Sequence, residues 1–322
     1  MTSNRVPAGR MLAADCALPA PAGEYRIRSA DGHWIHAEAY GPEGAPLVVL
    51  AHGWTCSIAF WAPVIHQLTA GHRVVAYDQR GHGRSDIPAT ATGYSTAKLA
   101  DDLEAVLTRL VPAGERAVLA GHSMGGITIM AAADRDGVAT RTAATVLIST
   151  GPGDLLTELK VVPAGIRSTR LRRFLHRRLL QSRLPLGSVN AVSKAMLKYG
   201  TMGPATPDAR VEATARVVHA CPTGVRYQWS RVLDELDVKQ QLAGLAAPTI
   251  VVVGTHDRLT PPVHARRILA ALPDPQGLLE LPGIGHMAPV ERPAEVAAEI
   301  RRAVKLAAEK AEKAEMTGSV TE

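Results

Sequence analysis

Residues 117–126 carry the strongest chemical signal in the chain. The apolar run Ala117 to Ala120 enters Gly121-His122-Ser123-Met124-Gly125, and a helical pattern from Ile127 to Ala133 follows. This is a G-x-S-x-G turn in a strand-to-helix setting. The turn must be tight: a Cβ at Gly121 or Gly125 would collide with neighbouring backbone, and Ser123 must take an unfavourable φ/ψ that lifts its hydroxyl out of the sheet. Free N–H groups at the start of the following helix favour negative charge developing beside that hydroxyl, as acyl transfer requires. Taken alone, the pentapeptide could also be an ordinary Gly-rich turn.

A serine hydroxyl is a poor nucleophile at neutral pH and needs a base. His286, in Gly283-Ile284-Gly285-His286, lies on a loop between a short strand (Gly277 to Leu281) and a helix that Pro293 and Glu295 could begin. A single loop His among 12 is usually solvated surface, so a third group is needed. Asp257 supplies one just beyond the apolar run Thr249 to Val253, where open α/β sheets assemble their sites. An ionised Asp there can hold the His tautomer and stabilise the imidazolium. Asp257 could instead cap the helix starting near Pro262, and Asp154, just past the sixth strand, could serve as the acid. The order Ser, Asp, His is one of the known triad orders. Leu50-Ala51-His52-Gly53-Trp54 ends an early strand, so the backbone N–H of Trp54 can join that of Met124 as a pair of oxyanion donors. His52 and His122 read as structural, the latter on a turn that aims its side chain away from the chemistry.

These residues need a scaffold, and the pattern supplies one. Short β-branched runs at Leu47 to Ala51, Arg73 to Tyr77, Ala117 to Ala120, Thr145 to Ser149 and Thr249 to Val253 alternate with helical stretches, as in a buried parallel sheet. Tyr25 to Ser29 and Trp34 to Tyr40 flank Asp31-Gly32, which favours a hairpin, so the sheet is mixed. Ser95 can cap a helix whose Leu99, Leu103, Val106, Leu107 and Leu110 share one face. From about Gly151 to Leu245 only helical patterns occur, which reads as an insertion into one α/β domain.

The segments His52-Gly53-Trp54, Asp78-Gln79-Arg80-Gly81-His82-Gly83-Arg84-Ser85, Gly121 to Gly126, Gly254 to Pro261 and Gly283 to His286 follow one another in a familiar order. The chain resembles the α/β-hydrolase fold superfamily, in its esterase, lipase and cofactor-free haloperoxidase branch, over about residues 25–150 and 246–305. The resemblance implies a mostly parallel eight-stranded sheet flanked by helices, with an α-helical cap insertion. It also makes the loop from Asp78 to Ser85 a structural turn. Ser123 stands where the dehalogenases and epoxide hydrolases carry an Asp nucleophile, which argues against both of those reactions. The expected organisation is a flexible leader (1–22), a core (23–150 and 246–306), a helical cap (151–245) and a charged helical extension ending in a disordered tail (307–322).

With 46% apolar residues the chain can bury a large core, and its three well-separated cysteines fit no disulfide framework or CxxC site. Free thiols in a reducing, cytoplasmic compartment follow. No secretory h-region or membrane-spanning run is evident. The net charge of +6 is concentrated. From Leu159 to Pro207 there is no acid, while Arg167, Arg170, Arg172, Arg173, Arg177, Arg178 and Arg183 interleave with Leu171, Phe174, Leu175, Leu179 and Leu180 at helical spacing. This is a basic amphipathic helix, readable as a solvated cap helix, as a surface for an anionic membrane or as a device for an acidic substrate. Nucleic acid is not an expected partner, because no recognition fold or stacking aromatics accompany the charge.

The expectation is therefore a serine hydrolase acting on a small ester or lipid-like molecule through an acyl-enzyme, with Ser123, His286 and Asp257 catalytic, Trp54 and Met124 donating to the oxyanion, and no metal or cofactor. A perhydrolase, an acyltransferase or a C–C bond hydrolase could use the same triad, and a ligand-binding protein without turnover could use the same scaffold.

Overall fold

The computed structural model describes residues 15–162, 166 and 168–318. The first 14 residues of the expected leader, Arg167 of the basic segment and the last four residues of the expected tail lie outside them.

Eight strands form one sheet in the order β1-β2-β4-β3-β5-β6-β7-β8. They are β1 (Gly23–Arg28), β2 (Trp34–Tyr40), β3 (Leu47–Ala51), β4 (Arg73–Tyr77), β5 (Ala117–His122), β6 (Thr142–Ile148), β7 (Thr249–Gly254) and β8 (Pro275–Leu281). β1 and β2 form the expected antiparallel hairpin, β2 pairs antiparallel with β4, and every other pairing is parallel. Gly32, at φ 89°, supplies the left-handed residue of the hairpin loop.

Alternate side chains on the central strands explain the layers. Val49, Leu119, Leu147 and Val251 belong to one apolar cluster, whereas Val48, Val118, Val146 and Val252 belong to another, one on each face. The first is covered by α2 (Thr96–Leu110), where Leu103, Val106 and Leu107 point inward. The second is covered by α1 (Ala62–Leu68) and by α9 (Pro293–Gly318), through residues such as Ile65 and Ile300. Ser95 caps α2, its Oγ accepting from Lys98 N at 3.2 Å.

Between β6 and β7 the chain forms α4 (Thr169–Leu180), α5 (Ala191–Thr201), α6 (Asp208–Ala220) and α7 (Thr223–Asp234). α3 (Met124–Ala131) follows β5 directly, starting three residues before the periodicity suggests. The reason is local: the turn is so sharp that Ser123 alone separates strand from helix. α8 (Pro262–Ala271) follows β7. Residues 15–22 run against the body, where Asp15 Oδ2 meets Arg210 at 2.8 Å and Leu18 packs on the second cluster.

Candidate active site

The parallel strands end along one edge, and all five residues singled out from the sequence follow the ends of β3, β5, β7 and β8 there. Ser123 has φ 51° and ψ −114°, a conformation of high cost for a residue with a Cβ. It is held because its N–H donates to Ile148 O at 2.9 Å and because the glycines around it allow contact of backbone with backbone. A Cβ on Gly125 would lie 2.0 Å from Ala51 O, a distance no relaxation of side chains could relieve.

Asp257 is buried, and its carboxylate collects four donors. Oδ1 accepts from Leu259 N and Thr260 N, both at 2.8 Å, and Oδ2 accepts from Thr260 Oγ1 at 2.9 Å and from His286 Nδ1–H at 2.8 Å. The Nδ1–H tautomer follows from this network, since an ionised carboxylate can only accept. It does not cap α8, whose N-terminal flank is Pro261. Asp154 is exposed and paired with Lys239 Nζ at 2.7 Å, a bond that holds its carboxyl below the usual range. Of the two acids, Asp257 is therefore the one brought to His286.

Ser123 is half-buried, and its hydroxyl makes no hydrogen bond to His286 in this structure. The imidazole of His286 lies beside the ring of His122, the residue before Ser123, with centroids 4.9 Å apart. His122 does not point idly away. It is buried against Phe60, ring centroids 4.5 Å apart, and its Nε2–H donates to the backbone oxygen of His286 at 2.9 Å. Burial holds its pKa well below the ordinary imidazole value, so it stays a neutral strut.

The amides of Trp54 and Met124 have no hydrogen-bond acceptor among the described residues. Met124 is the first residue of α3, where a free N–H is required by helix geometry. Trp54 is aimed by its surroundings. His52 Nε2 accepts from Gln79 N at 3.0 Å, and His82 Nε2 accepts from Thr55 N at 3.1 Å, which fixes both sides of the Gly53-Trp54 segment. Burial lowers the pKa of His52 to about 3 and of His82 to about 4, consistent with rings that must remain acceptors. The loop from Asp78 to Ser85 braces the same place. Asp78 accepts from Ile58 N and Arg84 N, and Arg80 is buried in an ion pair with Asp102 at 2.6 Å.

Sequence reasoning assigns no role to two residues at the site. Thr260 bonds to Asp257 and lies 3.2 Å from His286 Nδ1. Glu291 is buried, and its carboxylate ties the loop of His286 to the helices between β6 and β7. It accepts from Gly285 N at 3.0 Å, Gly203 N at 2.7 Å and Thr206 Oγ1 at 2.5 Å. Burial raises its pKa, and the three donors oppose that shift. Thr201 O, at the end of α5, accepts from His286 N at 2.7 Å. Gly285 is required there, because a Cβ would fall 2.5 Å from the backbone of Met202. A spacing of five residues between His286 and Glu291 could suggest a local bond, but nothing local indicates that Gly203 and Thr206 complete it.

Chemically, this arrangement offers a strained hydroxyl, an imidazole oriented by a buried carboxylate, and two free amides. Among the described residues, no cluster of His, Cys, Asp and Glu could hold a metal ion. No helix among them is long and apolar enough to cross a membrane.

Comparison with known proteins supplies a family. The model of a family described as alpha/beta hydrolase fold matches residues 46–293. The chain is 34% identical over 176 residues to the probable oxidoreductase EphD of Mycobacterium tuberculosis, a match covering 53% of this chain and 29% of that protein. It thus spans less than a third of EphD's length. It is 30% identical over 256 residues to the putative carbamate hydrolase RutD of Variovorax paradoxus, covering 78% of this chain and 89% of RutD. Among solved structures, a thermophilic esterase from Thermogutta terrifontis superposes with a TM-score of 0.71 at 22% identity, over 89% of this chain and 99% of that one.

Proposed function

The chain belongs to the alpha/beta hydrolase fold family, and from that premise we propose that it is a serine hydrolase cleaving a carboxylic ester of a small or lipid-like molecule through an acyl-enzyme. Ser123 is the nucleophile, His286 the base and Asp257 the group that orients it. The observation that carries the reading is the 2.8 Å bond from His286 Nδ1–H to the buried Asp257 carboxylate, which leaves Nε2 as the unprotonated, basic nitrogen of the ring. On substrate binding the hydroxyl of Ser123 closes on Nε2 to hydrogen-bond distance, as catalytic contacts that are open in a free enzyme commonly do.

Attack of Ser123 Oγ on the acyl carbon passes its proton to His286 Nε2 and places negative charge on the carbonyl oxygen, toward the Trp54 and Met124 amides. His286 then returns the proton to the departing alcohol, leaving the acyl group on Ser123. Water, deprotonated by the same nitrogen, attacks the acyl carbon and releases the acid. The name of RutD describes a putative carbamate hydrolase and that of the Thermogutta protein an esterase. Both bonds are acyl bonds open to this sequence of steps, and the uncharged ester is the simpler leaving-group problem.

The test is Ser123→Ala assayed on short p-nitrophenyl esters. Turnover should fall on the order of 10⁴-fold or more with the fold unchanged by circular dichroism. A fluorophosphonate probe should label the parent chain and leave the variant unlabelled. Retained turnover, or a folded parent that resists the probe, ends the reading.

A further inference from the structure

Of the ten large apolar side chains that stand exposed among the described residues, eight fall between Leu171 and Tyr199. They are organised by the helices that carry them. On α4 the inward face holds His176, whose Nε2 accepts from Val162 N, so Leu171 and Phe174 are turned outward, Phe174 with 55% of its surface open. On α5, Val192, Met196 and Tyr199 are spaced i, i+4, i+7, one face of a helix, and Val192 and Met196 are 69% and 63% exposed. Leu184, in the connection between the two helices, is 75% exposed. Side chains so open project from the surface and do not wall a groove.

The charge carried by this segment itself is of one sign. The segment from Leu159 to Pro207 contains no Asp or Glu. Acids of neighbouring elements reach some of its cations: Asp234 meets Arg177 at 2.7 Å and Arg173 at 4.0 Å, Glu212 meets Lys194 at 2.9 Å, and Asp208 meets Lys198 at 4.0 Å. Arg170, Arg178 and Arg183 form no ion pair among the described residues. Arg178 lies over the Phe174 ring and Arg183 over the Tyr227 ring, so guanidinium and apolar groups are presented together.

We propose that the outward faces of α4 and α5, with the connection carrying Leu184, form a docking surface for an anionic lipid layer, in which Phe174, Leu184, Val192 and Met196 enter the acyl boundary while Arg170, Arg178 and Arg183 meet the headgroups. Charge selects this occupant. A second copy would bring the same uncompensated arginines face to face, whereas an anionic surface neutralises them and accepts projecting apolar groups at once. The surface ends beside the candidate active site. Tyr199 stacks with Arg258, next to Asp257, and Thr201 O holds the amide of His286. Docking is nevertheless independent of the chemistry assigned to Ser123.

The experiment is flotation of the full chain with vesicles of phosphatidylcholine alone and of phosphatidylcholine mixed with phosphatidylglycerol, at low and high salt. Adsorption should need the anionic lipid and fade with salt. The triple change Arg170→Gln, Arg178→Gln and Arg183→Gln should weaken it by about fivefold per charge, roughly a hundredfold in all. The double change Phe174→Ser and Met196→Ser should weaken it at least tenfold (about 1.4 kcal/mol or more) at unchanged charge. Ser123→Ala should adsorb like the parent, which separates docking from catalysis. The three arginines, Phe174 and Met196 are solvent-exposed, and melting curves matching the parent verify folding. The proposal is overturned if the chain ignores anionic vesicles or binds neutral ones equally. It is overturned as well by a dimer in light scattering that the Phe174→Ser change dissolves, or by poly-glutamate binding that the apolar changes leave untouched.

Discussion

Replacing Glu291 by Gln tests how the loop of His286 is held. The carboxylate serves three buried donors, two on Oε2 and one on Oε1. An amide has one acceptor oxygen. The better orientation keeps that oxygen on Gly203 N and Thr206 Oγ1 and sets the NH₂ against the Gly285 N–H, leaving two buried donors without acceptors. At about 1–3 kcal/mol for each unsatisfied group, partly offset because a buried charge is removed, the stability loss should be about 2–4 kcal/mol. Urea unfolding followed by circular dichroism measures it, with an unchanged slope showing that the denatured state is the same. The loop keeps its bonds to Thr201 O and to Asp257, so on the proposed mechanism folded Glu291→Gln should retain ester hydrolysis at a rate lowered about 10- to 100-fold, mostly in kcat, because His286 rather than the substrate is misplaced. A stability change below about 0.5 kcal/mol, or an unaltered kcat, would refute the view that this carboxylate positions His286.

Asp257→Asn should lower kcat on the order of 10⁴-fold, since an amide can stabilise the wrong tautomer of His286, whereas Asp154→Asn should stay within about threefold because it loses only an exposed ion pair; equal losses would contradict the assignment of the acid. Asp102→Asn removes the fully buried one of the two carboxylates paired with Arg80, leaving Asp31 at 2.9 Å, and should destabilise by about 2–3 kcal/mol in urea titration, whereas a loss under about 1 kcal/mol would show that the brace is dispensable. Stability should fall between pH 7 and pH 5. His52 and His82 titrate near 3 and 4 when folded and near 6.5 when unfolded, so below 6.5 the unfolded chain takes up the extra protons at about 2 kcal/mol per ring by pH 5. Equal unfolding free energies at the two pH values would show that these imidazoles are not held neutral.

Much of the fold was legible because it rests on local rules. The β-branched runs at Leu47 to Ala51 and Arg73 to Tyr77 alternate faces and coincide with β3 and β4, and the Ser95 cap begins α2 as its chemistry requires. The elbow was legible for the same reason: glycine at 121 and 125 answers a steric demand that exists within a few residues of Ser123. The sequence by itself thus determined the family, the sheet and the candidate nucleophile.

Tertiary structure decided what depends on meeting across the chain. Asp257 and Asp154 are equivalent as letters, and only the path of the chain after β6 and β7 sends one to His286 and the other to Lys239. Glu291 reads as an ordinary acid until Gly203 and Thr206, more than 80 residues earlier, arrive at its carboxylate. His122 becomes a strut for His286 through a contact spanning 164 residues. Hydrogen bonds and desolvation act over a few ångströms of space, and separation along the sequence carries no information about that distance until the core has packed.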